Sequence, residues 1–296
     1  MQYNMKNHIL VIMLAVILAA CSNGNDRSDA YGNFEATEVM VSALAQGEIF
    51  SLVPEEGQVV DSGVIVGLID TTELFLKKQQ LVKSISAVRT RLVTISAQID
   101  VQQQQKENLL IDKARLEKLY RDGAATRKQM DDINGALDLL EAQIGATSSQ
   151  KQQVEAEIAA MGVQIRQVEE ALSKCYVSNP VAGTVLVKYA EAGEVAVPGK
   201  PLYKLADLRT MKLKVYVSGD QLPHIRLGQE VEVQIDRNKK ENERLTGTIC
   251  WISSTAEFTP KTIQTKEERV NLVYAVKVRV ENDGSIKIGM PGEINF

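Results

Sequence analysis

The sequence has few of the residues that build metal centres and active sites. Its 296 residues include three cysteines and two histidines, with no Cys-x-x-Cys pair and no histidine cluster. A structural zinc site needs about four such ligands, so this inventory excludes one. A glycine-rich phosphate loop with its lysine and a nucleophile elbow are also missing. We therefore expect that the protein is not an enzyme and that it binds neither a cofactor nor a metal ion.

Neither sign of charge is in excess, and aromatic residues are scarce. The chain has 34 basic and 38 acidic residues, so nothing in its charge balance suggests a polyanionic partner such as nucleic acid. Aromatic residues make up 5% of the chain, fewer than a compact core of this size would use. This composition predicts an elongated molecule with long exposed helices.

The longest apolar run lies at the N-terminus and marks a targeting segment. Residues 9–20 are apolar, follow a single lysine and end in small residues before Cys21, which is the layout of a secretory signal peptide. The run Leu-Ala-Ala-Cys that ends at Cys21 resembles the bacterial lipobox, in which the cysteine is lipidated. We expect a signal peptide over residues 1–20, lipidation of Cys21 and a flexible tether over residues 21–34. An ordinary signal peptide with a cysteine nearby is the alternative.

Proline is absent from residues 55–179, although seven prolines occur elsewhere. A proline inside a helix costs about 3 kcal/mol, so this stretch can hold very long helices. Its apolar residues alternate at spacings of three and four, the pattern of a coiled-coil seam. In the second arm, eleven of thirteen seam positions are apolar. Each arm runs for roughly 45–50 residues, or about 70 Å.

The two arms flank a short segment at residues 121–126 that carries turn signals. Gly123 can adopt a left-handed conformation after the first helix, and Thr126 can cap the second. We predict an antiparallel helical hairpin over residues 72–174 with its tip near 121–126. One unbroken helix that dimerises along its length is the alternative, because a glycine costs only about 1 kcal/mol in a helix.

Each arm has polar residues near its middle: Gln102 and Lys106 in the first arm, Thr147 and Lys151 in the second. They would loosen the seam and allow a bend or a contact with a neighbouring protomer. They would equally serve to fix the register of the helices. The sequence supports both interpretations.

The segments on either side of the hairpin repeat one another. Both have glycines spaced by ten and then six residues: Gly47, Gly57 and Gly63, then Gly183, Gly193 and Gly199. Apolar residues alternate around these glycines, as in short strands joined by tight turns. A unit of about 25 residues cannot bury a hydrophobic face alone, so the copies must pair. We predict one β-sandwich made from residues 35–71 and 175–207.

The remaining residues, 208–296, have the alternating pattern of an all-β domain, and about six strands suit a small barrel. Its single histidine, His224, is expected on the surface of a short helical turn. After processing, Cys175 and Cys250 remain. Both are expected as unpaired core residues, and a disulfide between them stays open.

The two glycine-spaced halves resemble the lipoyl/biotinyl carrier fold. In a carrier, the halves meet in a short turn that bears the modified lysine, and here the hairpin occupies that place. Split lipoyl halves, an inserted hairpin, a C-terminal barrel and a lipid anchor together resemble the membrane fusion proteins, or periplasmic adaptors, of HlyD-like type. The resemblance implies an elongated α+β fold, with a long antiparallel α-helical coiled-coil hairpin inserted into a split lipoyl/biotinyl-like β-sandwich and followed by a small β-barrel.

The tip carries the most specific local resemblance. Adaptors that engage TolC-like outer-membrane channels have the motif R-L-x2-L-x4-A-x-S-x4-D. This sequence matches it with threonine in place of serine, at Arg115, Leu116, Leu119, Ala124, Thr126 and Asp131, around the turn at Gly123. Threonine keeps the hydroxyl but adds a methyl group at a closely packed contact. By resemblance, these residues form the channel-binding tip.

The resemblance also implies partners and a location. It indicates a homohexamer that links an inner-membrane transporter to a TolC-like channel for efflux or secretion of an unidentified substrate. The residues from 259 to 280 favour an ABC transporter over the RND class. The protein would be periplasmic and anchored to the inner membrane of a Gram-negative bacterium, although Ser22 after the lipidated cysteine favours the outer membrane under one sorting rule. A structural coiled-coil envelope lipoprotein with no transport role is the alternative.

Overall fold

The computed structural model describes residues 28–238, 241–258 and 272–296. The predicted signal peptide and Cys21 lie outside these residues, as does the first part of the segment that favoured an ABC transporter. The chain divides into two compact units. One comprises residues 39–205, and the other combines the N-terminal residues up to 38 with residues 206–296.

Two long helices and a series of short strands make up the described chain. The helices are α1 (Thr72–Arg121) and α2 (Arg127–Ser173), and one short 3-10 turn occurs at Leu222–His224. The strands, in chain order, are β1 (Ala30–Glu35), β2 (Glu38–Ser42), β3 (Gly47–Leu52), β4 (Val59–Val60), β5 (Ile65–Ile69), β6 (Tyr176–Ser178), β7 (Gly183–Lys188), β8 (Val195–Ala196), β9 (Pro201–Ala206), β10 (Thr210–Ser218), β11 (Glu230–Asn238), β12 (Glu241–Ile252), β13 (Glu257–Phe258), β14 (Leu272–Glu281) and β15 (Pro291–Asn295).

The helices α1 and α2 form the predicted antiparallel hairpin. The predicted seam positions are buried or half-buried in both helices, whereas most of their neighbours are exposed. The most buried seam residues are Val88, Leu137, Leu140, Thr147 and Val154. The alternative of one unbroken helix is wrong, because the chain reverses between residues 121 and 127.

Three ion pairs between the helices define the hairpin register. Their N–O distances are 2.8 Å for Lys78–Glu169, 3.7 Å for Arg91–Glu157 and 2.7 Å for Lys106–Glu141. The two residues of each pair lie almost equally far from residues 123–124. The register is therefore constant from the base of the hairpin to its outer third.

The two glycine-spaced segments pair into one β-sandwich, as predicted. Its sheets have the strand orders β2-β9-β7-β4 and β6-β5-β3-β8. Each sheet takes two strands from each half, and the short strands show the exchange, because β4 pairs with β7 and β8 pairs with β3. Neither half is complete without this exchange, so the ends of the intervening hairpin must lie together.

An approximate two-fold symmetry relates the halves at the level of single hydrogen bonds. The amide of Gly57 donates to the carbonyl of Val185 at 2.8 Å, and the equivalent Gly193 amide donates to Ile49 at 2.8 Å. Gly57 and Gly193 have φ of 85° and 89°, in the left-handed region that favours glycine. The repeated spacing therefore reflects turn geometry that both halves need.

A buried polar network ties the second half of the sandwich to the first. The side-chain amide of Asn179 donates to the carbonyls of Val60, Asp61 and Val181 at 3.2, 3.0 and 2.7 Å. Its Oδ1 accepts a hydrogen bond from the hydroxyl of Tyr203 at 3.0 Å. Tyr203 is fully buried, and this burial raises its pKa to about 12.

The second unit is a closed barrel, and in the described chain it contains the six strands β10-β1-β15-β11-β12-β14, with β10 pairing back to β14. Alternate residues of these strands fill its core, among them Met211, Leu213, Val233 and Val278.

The exposed His224 lies on the short helical turn, as expected. Cys175 and Cys250 are both free, so the disulfide that the sequence left open does not form.

One boundary differs from the sequence interpretation. The tether was expected to reach residue 34, but β1 begins at Ala30 and lies in the barrel between β10 and β15. Gly32 permits this position, because a Cβ there would lie 1.8 Å from the carbonyl oxygen of Lys214. This glycine serves close strand packing and not tether flexibility.

Candidate functional site

The turn at the hairpin tip has a defined backbone geometry. The amide of Ala124 donates to the carbonyl of Leu119 at 2.8 Å, and the amide of Gly123 donates to Tyr120 at 3.2 Å. This pair of bonds is the Schellman arrangement, which satisfies carbonyls left open at a helix C-terminus. It requires a left-handed residue, and Gly123 has φ of 70°. The predicted role of Gly123 as the left-handed turn residue is confirmed.

A capping box fixes the start of α2 immediately after this turn. The Thr126 Oγ1 accepts from the Gln129 amide at 3.4 Å, and the Gln129 Oε1 accepts from the Thr126 amide at 2.8 Å. The predicted cap at Thr126 is therefore confirmed. The reciprocal bond from Gln129 was not foreseen, although Thr-x-x-Gln is a recognised signal for this motif. The cap and the Schellman turn together leave little freedom to the five residues between the helices.

The other predicted tip residues lie on the adjoining turns of the helices. Arg115 is 75% exposed and forms an i,i+3 ion pair with Asp112 at 3.3 Å, and Leu116 is half-buried in the seam. Leu119 lies one turn further and is 49% exposed, while Asp131 is exposed in the first turns of α2. The structure therefore brings all of these residues to one end of the hairpin, with Leu116 turned inward.

Tyr120 is a tip residue that the motif does not include. Its side chain is 44% exposed, beside the exposed Leu119. Tyr120 continues the seam spacing of α1, but α2 begins only at Arg127, so no helix covers it. The exposed seam position could have been found by extending the seam spacing to the end of α1. The tip therefore presents two large apolar side chains next to small residues, which is a composition suited to a protein contact.

The described residues contain no candidate metal site and no candidate membrane-spanning helix. No group of three or more His, Cys, Asp or Glu side chains in them could hold a metal ion. No helix in the described part of the chain has the length and apolarity needed to cross a bilayer. Burial raises the pKa of the Cys175 thiol, which makes this cysteine less reactive.

Comparison with known proteins bears on the fold and on the barrel. Residues 207–295 match the family of LcnD-like, C-terminal domains. A UPF0194 membrane protein of Yersinia enterocolitica is 24% identical, with 99% of each chain covered. MacA of Actinobacillus actinomycetemcomitans is a solved structure with a TM-score of 0.54 and 21% identity, over 90% of this chain and 76% of MacA.

A second solved structure is the membrane fusion protein Spr0693 of Streptococcus pneumoniae R6. It gives a TM-score of 0.56 at 15% identity and covers 90% of this chain and 96% of its own. Both TM-scores lie above 0.5 and show similarity of fold. The predicted resemblance to the membrane fusion proteins is confirmed, and so is the predicted fold class.

Proposed function

Because the chain has the fold of the membrane fusion proteins, we propose that it is a lipid-anchored periplasmic adaptor. It links an inner-membrane transporter, of the ABC class in preference to the RND class, to a TolC-like outer-membrane channel. Export of a substrate through this assembly is the function, and the chain itself catalyses no reaction. The assembly contains several copies of the chain, six by family resemblance.

The observation that carries the proposal is the construction of the hairpin tip. Hydrogen bonds at both helix ends hold Gly123 and Ala124 in place, while Ala124 and Thr126 are exposed to a partner. Small residues allow a second helical tip to approach closely, and the exposed guanidinium of Arg115 supplies a directional contact. A passive spacer has no need of such a tip, so the geometry supports docking to a channel.

The distance from the proposed lipid anchor to the barrel limits how far the barrel can lie from the membrane. Eight residues separate Cys21 from Ala30, where β1 begins. At no more than about 3.6 Å per residue, they span roughly 30 Å at most. A lipid on Cys21 therefore keeps the barrel close to the membrane, where a transporter would meet it.

The test is capture of the channel by the full-length protein in its own bacterium. Arg115→Asp reverses the charge at the tip and should abolish cross-linking of the channel to a photoreactive residue at position 128, which is exposed and lies outside the tip motif. Arg89→Asp is the matched control, because Arg89 is an exposed arginine of α1 with no ion pair in the described part of the chain. Both variants should keep the helical circular dichroism of the parent.

The same experiment separates the proposal from a structural envelope lipoprotein. A spacer protein would give no specific cross-link to a channel in the parent chain. Equal cross-linking by Arg115→Asp and the parent would remove the tip from the proposal.

A further inference from the structure

The outer surface of the barrel carries two like-charged pairs side by side. On β10 and β14, Lys212 lies directly opposite Arg279, and Lys214 lies directly opposite Lys277. The alternate residues Met211, Leu213, Val278 and Val280 are buried in the barrel core, so the four cations project outward. Like charges placed directly opposite each other destabilise a strand pair. We call these four residues the basic face.

The strands β11 and β15 carry the opposite charge. Glu230, Glu232 and Asp236 occupy alternate outward positions of β11, since Val231, Val233 and Ile235 between them are buried. Glu293 lies on the neighbouring β15, opposite Gln234. We call these four carboxylates the acidic face.

The two faces lie on opposite sides of the barrel. In the closed order β10-β1-β15-β11-β12-β14, the strand three places from β10 is β11, and the strand three places from β14 is β15. The outward side chains of opposite strands point in opposite directions in a closed barrel. The barrel therefore has one positive and one negative side.

Ion pairs within the chain neutralise part of each face. Lys277 lies 3.3 Å from Glu35, Lys214 lies 3.6 Å from Glu257, and Glu232 lies 3.4 Å from Arg244. Lys212 donates to the Thr37 hydroxyl at 3.1 Å and forms no ion pair in the described part of the chain, because Glu35, which lies opposite it on β1, pairs with Lys277.

Each face also has exposed charged residues that form no ion pair within the described part of the chain. Arg279 on the basic face, and Glu230 and Asp236 on the acidic face, are exposed and form no ion pair among the described residues. Each face thus keeps charges that a partner of opposite sign would pair.

We propose that the basic face of one barrel binds the acidic face of a second copy of this chain. A contact between two different faces of identical chains is heterologous, and it builds a ring when the rotation from copy to copy closes. Complementary charge fixes which faces meet and speeds their encounter. This inference rests on the proposed function, because it supplies the contact by which copies of the adaptor assemble at the membrane.

The test reverses each face separately and then both together in the full-length, lipidated chain in detergent. Lys212→Glu with Arg279→Glu makes both sides acidic, and Glu230→Lys with Asp236→Lys makes both sides basic. Either change should weaken self-association by about tenfold or more, because two pairs become repulsive. The chain with all four substitutions should associate as tightly as the parent, as should a mixture of the two reversed chains.

Sedimentation velocity at low and high salt measures these associations. The control is Arg226→Glu with Lys287→Glu, which reverses two barrel cations outside both faces and should leave association unchanged. Unaltered association in both reversed chains would overturn the proposal, and so would failure of the four-substitution chain to recover. If the basic face instead binds anionic lipid, its reversal lowers binding to phosphatidylglycerol vesicles and leaves self-association unchanged, which would also overturn the proposal.

Failure here is distinguishable from failure of the proposed function. Loss of channel cross-linking at position 128 with normal self-association would count against the adaptor role. Charge-independent self-association with normal channel cross-linking would count against the two faces alone.

Discussion

The middle of the hairpin contains a polar atom whose removal should stabilise the protein. Gln102 occupies a seam position of α1, and its Oε1 is buried without a hydrogen-bond partner in the described part of the chain. The spacing of the seam is regular around it. The nearby Thr147 is also buried, but its hydroxyl donates to the Gln143 carbonyl at 2.9 Å. We expect Gln102→Leu to raise the free energy of unfolding.

The magnitude follows from two terms. A buried acceptor without a partner costs about 1–3 kcal/mol, and leucine removes this cost. The methylene groups of glutamine already lie in the seam, so the added apolar burial contributes less than the roughly 1.5–3 kcal/mol of a fully buried leucine. A net gain of about 2 kcal/mol is expected, which corresponds to a rise of roughly 4–8 °C in the midpoint for a unit of 150–250 residues.

Thermal and urea unfolding of the full chain, followed by helical circular dichroism, measures this gain. Gln103→Leu is the matched control, because Gln103 is the next residue, is exposed, and should change stability by less than about 0.5 kcal/mol. A loss of stability in Gln102→Leu would refute the reasoning, since it would mean that the Gln102 amide makes a favourable interaction such as a bond to an ordered water.

Three further changes test the turn, the cap and the buried tyrosine. Gly123→Ala should lower the free energy of unfolding by about 1 kcal/mol, because Gly123 has a left-handed φ of 70°. Gly135→Ala should raise it by up to about 1 kcal/mol, because Gly135 lies in the interior of α2, where an added Cβ meets no atom within 4 Å. Urea unfolding compares the two variants. Thr126→Ala should cost about 1 kcal/mol and increase amide exchange in the first turn of α2, while Thr126→Ser should not. Because the pKa of Tyr203 is raised from 10.0 to about 12, stability should fall as the pH rises from 10 to 12, and Tyr203→Phe should remove this part of the slope in parallel unfolding curves.

The parts of the fold that follow from local rules were predictable. Alternating spacings of three and four gave the seam, because side chains at those spacings share one face of a helix. Gly123 and Thr126 gave the ends of the two helices, since each satisfies backbone groups within four residues of itself. The paired glycines gave the two halves of the sandwich for the same reason, as their turns are local.

The parts of the fold that depend on pairing between distant strands could not be predicted from the sequence. The exchange of β4 and β8 between the sheets has no local signal, since each strand is only two residues long. The place of β1 in the barrel depends on strands 180 residues and more along the chain, and Gly32 resembled a tether glycine until its contact with Lys214 was known. The opposite charges of the barrel faces likewise required the closed strand order.

The hairpin is held in register at its two ends, independently of Gln102 in its polar middle. At the base, β5 and β6 pair antiparallel, and the Ile69 amide donates to the Cys175 carbonyl at 2.9 Å, directly before α1 and directly after α2. At the other end, the Schellman turn and the capping box fix where α1 stops and α2 starts. A two-helix coil held at both ends cannot slip by a heptad, so Gln102 is not needed to specify alignment. Gln102→Leu should therefore leave photo-cross-linking at position 128 unchanged while it raises stability, and a displaced cross-link would show that the polar layer sets the register after all.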